Sequence, residues 1–186
     1  MKLKHNKILL LALFLIPSAK SAENIFLYQG TLNRTIKVED LYEFKKTKIP
    51  STKLKNIIKL TNQNENDLYK VLSYEIEVPL KASSKLMKSK IGEVFLKRLS
   101  KIVHPNKISD KNIGIKAIRS GIILSSYNNN QKINLINFFK AYPNKNIAIN
   151  LKALRKALKK AESLKELIEF FSDSPFKKLK DGSSTI

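Results

Sequence analysis

Cysteine is missing from this 186-residue chain, and histidine occurs at two positions, His5 and His104. Without a thiol there is no disulfide, no thiolate nucleophile and no thiolate metal ligand, and an N-terminus lipidated on cysteine is excluded as well. A single histidine beyond the first few residues cannot build a zinc site of the His and Cys kind. Glycine is scarce too: Gly30, Gly92, Gly114, Gly121 and Gly182 are all there are. No two of them stand two, four or five residues apart, so G-x-S-x-G elbows and both common glycine-rich phosphate loops are ruled out.

Long apolar runs are lacking with one exception, "ILLLALFLIP" at Ile8–Pro17. It is about half of the roughly 20 residues that a membrane-spanning helix needs. Lys2, Lys4 and Lys7 precede it and "SAKSA" follows, with Ala19 and Ser21 as small residues two apart. That order of charged, apolar and small residues is a secretory signal peptide. The sequence therefore predicts a leader over residues 1–22, cut after Ser21 or Ala22. The product would be exported to a periplasm, a thylakoid lumen or the medium; an uncleaved anchor is the alternative. The remaining 164 residues suffice for one domain, which at this size buries roughly 70% of its unfolded surface.

Negative charge is the last thing in short supply. Fifteen acids face 36 lysines and arginines, for a formal net charge of +21. The leader holds four lysines and no acid, so its loss leaves +17. Two readings compete. One is a surface selected for an anionic membrane or an acidic protein. The other is composition drift with weak anion affinity, because Lys, Asn and Ile all come from AT-rich codons. Nucleic acid is set aside. Arg34, Arg98, Arg119 and Arg155 are the only arginines, whereas phosphate-reading surfaces favour arginine's bidentate fork.

What is present points to a mainly α fold: a compact multi-helix domain over residues 23–172 behind a small N-terminal β-hairpin, with a polar, disordered tail at 173–186. Ile25–Tyr28 reads as a strand broken at Gln29-Gly30. From Thr31 the pattern has period two, placing Leu32, Ile36 and Val38 on one side and Arg34 at an edge. Glu39 and Asp40 suit a helix N-terminus, and Pro50 ends that helix. Helices follow from Ser51 or Thr52, from Pro79 to about Lys88, and along an Ile91–Phe95–Leu99–Ile102 stripe. Asp110 caps "KNIGIKAIRSGIILSSY", whose Gly114, Gly121 and Ser125 predict close packing on two sides. A short helix spans Ile133 to Ala141. Asn150 begins the longest one, with Leu151, Leu154, Leu158, Ala161, Leu164, Ile168 and Phe171 on one face. Its outer face is first cationic (Lys152, Arg155, Lys156, Lys159, Lys160), the candidate surface for an anionic partner, and then acidic.

No catalytic constellation emerges. His104, in the turn "IVHPNK", is the sole candidate base and has no serine signature beside it. The carboxylate clusters Glu39-Asp40, Glu75-Glu77 and Glu162-Glu166-Glu169 sit among lysines, where salt pairing explains them better than acid–base or metal chemistry. The expectation is a non-enzyme with no cofactor and no metal.

The order of elements resembles the N-terminal domain of unknown function found in exported cyanobacterial α/β hydrolases. Tyr28, Gly30, Ile36, Val38, Leu41 and Phe44 match its "F-x-Y-G" strand and the "S-[IL]-x-V-x-x-L-x-x-F" start of its first helix, with Gln29 inserted. Gly92, Leu96 and Leu99 match "I-G-x-x-L-L-x-x-L", with Phe95 at its first Leu; Ala117, Ile118, Arg119 and Ile123 match "A-L-R-A-A-L". The resemblance runs from about Asn24 to about Phe170. Lys48 departs from it, standing where the family usually has a glycine. It implies an exported helical accessory domain standing alone, without the hydrolase domain of its longer relatives, whose catalytic residues have no counterparts here. The expected function is binding of a protein partner, acting in trans on a separately encoded hydrolase. A peripheral membrane protein using a basic helix face, and an esterase-like hydrolase relying on His104, are the alternatives.

Overall fold

The hairpin opens the molecule as expected and then turns out to be half of a larger sheet. Strands β1 (Asn24–Gln29) and β2 (Leu32–Lys37) pair antiparallel around Gly30-Thr31. Gly30 takes φ 59°, a backbone that glycine adopts without strain. The computed structural model describes residues 21–61, 63–108 and 110–160, with side chains to 157. Residues 1–20, the predicted tail at 173–186 and the predicted continuation of the last helix, with Ala161, Leu164, Ile168 and Phe171, lie outside them.

Eight helices make up most of the described residues. They are α1 (Val38–Thr47), α2 (Thr52–Thr61), α3 (Glu65–Ser73), α4 (Leu80–Lys88), α5 (Lys90–Leu99), α6 (Lys111–Asn128), α7 (Leu135–Ala141) and α8 (Leu151–Lys160). Local chemistry sets several of their ends. Ser51 Oγ accepts from Leu54 N at 3.2 Å, Ser89 Oγ from Gly92 N at 3.1 Å and Asp110 Oδ1 from Asn112 N at 2.8 Å, each satisfying an amide that the helix leaves free. Lys48 closes α1 in the left-handed region at φ 61°, its N–H bonded to Phe44 O, so the C-cap survives without a glycine.

The sheet has the order β2-β1-β6-β4, where β4 is Val103–Pro105 and β6 is Asn146–Asn150. β6 runs parallel to β1, in register from Asn24↔Asn146 to Tyr28↔Asn150, and β4 is antiparallel to β6. Neither strand was expected. "IVHPNK" reads as a turn, yet Val103–Pro105 forms an edge, where proline's missing N–H costs no ladder bond. A second, two-stranded sheet joins β3 (Ile76–Glu77) to β5 (Lys132–Ile133), so the short helix predicted from Ile133 begins at Leu135.

One face of the main sheet carries Ile25, Ile36, Ile147, Val103 and Pro105, all buried. Against it lies α6, the central helix, which also packs on α4, α5 and α7. The predicted small residues bring it close: Gly114 faces Pro105 and His104, and a Cβ at Gly121 would stand 3.0 Å from the Phe138 ring. Two residues depart from the expected pattern. Leu32, at the hairpin tip, is exposed rather than inward, and Ile91 points to solvent while Gly92 and Leu96 are buried.

Candidate functional site

His104 is reached through the sheet. β6 separates β1 from β4, and the pleat puts Phe26, Tyr28, Ala148 and His104 on the face opposite the core. There Tyr28 Oη lies 2.8 Å from His104 Nε2, the rings edge to face with centroids 5.7 Å apart. His104 Nδ1 lies 3.0 Å from the Pro105 carbonyl. A carbonyl only accepts, so in the neutral ring Nδ1 carries the proton and Nε2 accepts from the tyrosine hydroxyl. Both nitrogens are thus engaged, and neither meets a serine. Ser100, which borders Gly114 together with His104, turns its hydroxyl to Lys97 O at 3.0 Å.

Of the predicted carboxylates, Asp40 and Glu75 are similarly occupied. Asp40 Oδ2 accepts from Lys37 N at 3.2 Å, at the head of α1. Glu75 Oε1 accepts from Asn134 Nδ2 at 2.9 Å and from Lys45 Nζ at 3.4 Å. The hydrogen bond from the Asn134 amide, assisted by Lys45 and Lys132, holds its carboxyl below the usual glutamate range, with burial opposing them. Glu93 is lowered chiefly by its hydrogen bond from Lys97, 2.9 Å away. Glu162, Glu166 and Glu169 lie outside the described residues. Among the described residues no group of three or more His, Asp and Glu is placed to hold a metal ion.

Among the described residues, two shallow hollows lie away from His104. One, of about 370 Å³, is lined by residues that include Ala22, Asn24, Lys37, Glu39 and Lys140; the other, of about 230 Å³, lies between Tyr42, Lys45, Asn134 and Ile136. Tyr142 is fully buried, and its hydroxyl has no partner among the described residues; burial pushes its pKa far up. It packs against Phe138 and Gly121, away from any hollow described here.

The cations predicted as an anion-binding face fall on α8, which leaves β6 directly and is capped by Asn150 Oδ1, 3.0 Å from Ala153 N. Lys152 and Lys156 are exposed one turn apart. Arg155 instead donates to Gln29 Oε1 at 2.8 Å and ties the helix to β1. Lys159 and Lys160 close the described helix, their side chains outside the described residues. Sequence reading did not find the Tyr28–His104 pair, since only the unforeseen β6 brings those strands together.

The model of a family described as alpha/beta hydrolase of unknown function (DUF1400) matches residues 21–150. The chain belongs to this family. The DUF1400 segment starts just before β1 and stops at the last residue of β6, so it holds the whole main sheet and α1–α7 and leaves α8 outside. Its sheet of four strands has one parallel pair, and the β6–α8 junction, Asn150-Leu151, carries no serine where a strand-to-helix elbow would need one. No curated protein and no solved structure matches the chain significantly.

Proposed function

We propose that this DUF1400 chain is an exported, non-catalytic helical domain that binds a protein partner, a separately encoded α/β hydrolase being the first candidate. The observation that carries the reading is the engagement of His104: Tyr28 and Pro105 occupy both ring nitrogens, so the one described histidine has no serine hydroxyl beside it to activate. The family description, alpha/beta hydrolase of unknown function, is what makes a hydrolase the first partner to test. The outer stripe of α6 supplies a surface for it. Ile113, Leu124 and Tyr127 share one side of the helix and are exposed, Tyr127 by 68%, and a protruding aromatic side chain is the type of residue that anchors protein interfaces. Lys152 and Lys156 would steer an acidic partner surface.

The test is a photo-crosslinking amino acid in place of Tyr127, used on the exported fraction of the native cell. It is expected to capture an α/β-hydrolase polypeptide, while the purified chain alone leaves p-nitrophenyl esters intact. Ester turnover that is lost in His104→Ala overturns the reading, and so does the absence of any crosslinked hydrolase.

A further inference from the structure

Helix α5 is turned by its glycine. A Cβ at position 92 would stand 2.0 Å from Leu86 O, so that side of the helix must lie against the end of α4. With Gly92 and Leu96 inward, Ile91 and Val94 project outward, 63% and 49% exposed. They lie one turn apart on the same stripe, with Arg98 a further turn along. Lys90, Lys97 and Arg98 on the helix, and Lys88 and Lys101 just beyond its ends, are all exposed. From Val78 to Lys107 the sequence has eight lysines and arginines against a single acid, Glu93, and that carboxylate is held by Lys97.

Exposed aliphatic side chains flanked by lysines and an arginine form a particular kind of surface. Protein interface cores favour aromatic residues, methionine and arginine and are poor in lysine. A helix lying in a bilayer interface has the opposite make-up: its aliphatic side chains enter the acyl boundary, and long lysines reach back to anionic headgroups. We propose that α5 docks onto an anionic lipid surface, with Ile91 and Val94 inserted and Lys90, Lys97, Arg98 and Lys101 against the headgroups. Charge complementarity selects the occupant. The site uses neither α6 nor α8 and stands apart from the protein-partner reading above.

The absence of cysteine makes the test site-specific. In the full chain, a single Val94→Cys carries an environment-sensitive fluorophore, and Leu60→Cys, exposed on α2, serves as the control. Vesicles of phosphatidylcholine mixed with phosphatidylglycerol are expected to shift the emission at position 94 to the blue but not at position 60. Vesicles of phosphatidylcholine alone should give no shift. Adding Lys90→Gln and Arg98→Gln should lower the partition coefficient about 25-fold, at roughly fivefold per cation. Circular dichroism of each variant confirms that the helices remain. No shift at position 94, an equal shift on uncharged vesicles, or a response to an acidic protein with none to lipid overturns the proposal.

Discussion

Gly92 and the carbonyl of Leu86 are in contact, and a methyl group at residue 92 would have to displace that oxygen, which already accepts from Ser89 N at 3.0 Å and Ser89 Oγ at 2.7 Å. The α4–α5 corner is therefore built around a missing side chain. Gly92→Ala is expected to destabilise the fold by about 1–3 kcal/mol, the cost of overpacking a filled site, despite alanine's better helix propensity. Urea denaturation monitored by circular dichroism measures it.

The bond between Tyr28 and His104 predicts a coupled pair. Tyr28→Phe and His104→Ala, singly and together, should show a coupling of about 0.5–1.5 kcal/mol in a double-mutant cycle, the net worth of one partly buried hydrogen bond. A coupling near zero would mean that the contact contributes nothing to the fold.

Asn134 serves two partners. Its Oδ1 caps α7 by accepting from Asn137 N at 2.9 Å, and its Nδ2 donates to Glu75. Asn134→Ala should cost about 1 kcal/mol through the cap alone. It should also alter the acid limb of stability. Glu75 is lowered in the folded protein, so its contribution is complete above the ordinary value of 4.5 and fades as pH falls through the lowered one. In Asn134→Ala, that part of the decline on acidification should shrink in denaturation curves taken across this range.

Lys48 occupies a left-handed backbone position and sets its ammonium 4.9 Å from the centre of the Tyr69 ring. Lys48→Gly should relieve about 1 kcal/mol of backbone strain and forfeit about 0.5 kcal/mol of cation–π attraction. The net gain, about 0.5 kcal/mol, would appear as a raised thermal midpoint.

Ala22 bears on the leader proposal. Its side chain is 3% exposed and belongs to the core cluster. A cut after Ser21 keeps it, whereas a cut after Ala22 removes a buried methyl worth about 0.8 kcal/mol. Intact mass of the exported protein is expected to place the N-terminus at Ala22.

Helix ends were legible in the sequence wherever the signal is local. Ser51, Pro79 and Asp110 mark the starts of α2, α4 and α6 within a residue or two, because a cap is decided by a few neighbours. The small residues of α6 announced its central position for a similar reason. What depends on partners far along the chain was not legible. Asn24 and Asn146 hydrogen-bond across 122 positions at 3.1 Å, and Ile147 and Ile149 alternate in a strand too short to declare itself. Periodicity alone assigns Ile91 inward, whereas contact between Gly92 and a backbone oxygen fixes the rotation of α5. The exposure of Lys152 and Lys156 could be read directly; the use of Arg155 as a tie to Gln29 could not.

The parallel pairing of β1 with β6 also has a mechanical meaning. The two strands bound the DUF1400 segment and point the same way, so polypeptide enters the sheet at one end and leaves at the other. Tension applied between residues 24 and 150 would load the rungs from Asn24↔Asn146 to Tyr28↔Asn150 all at once, in shear, instead of peeling them open one by one.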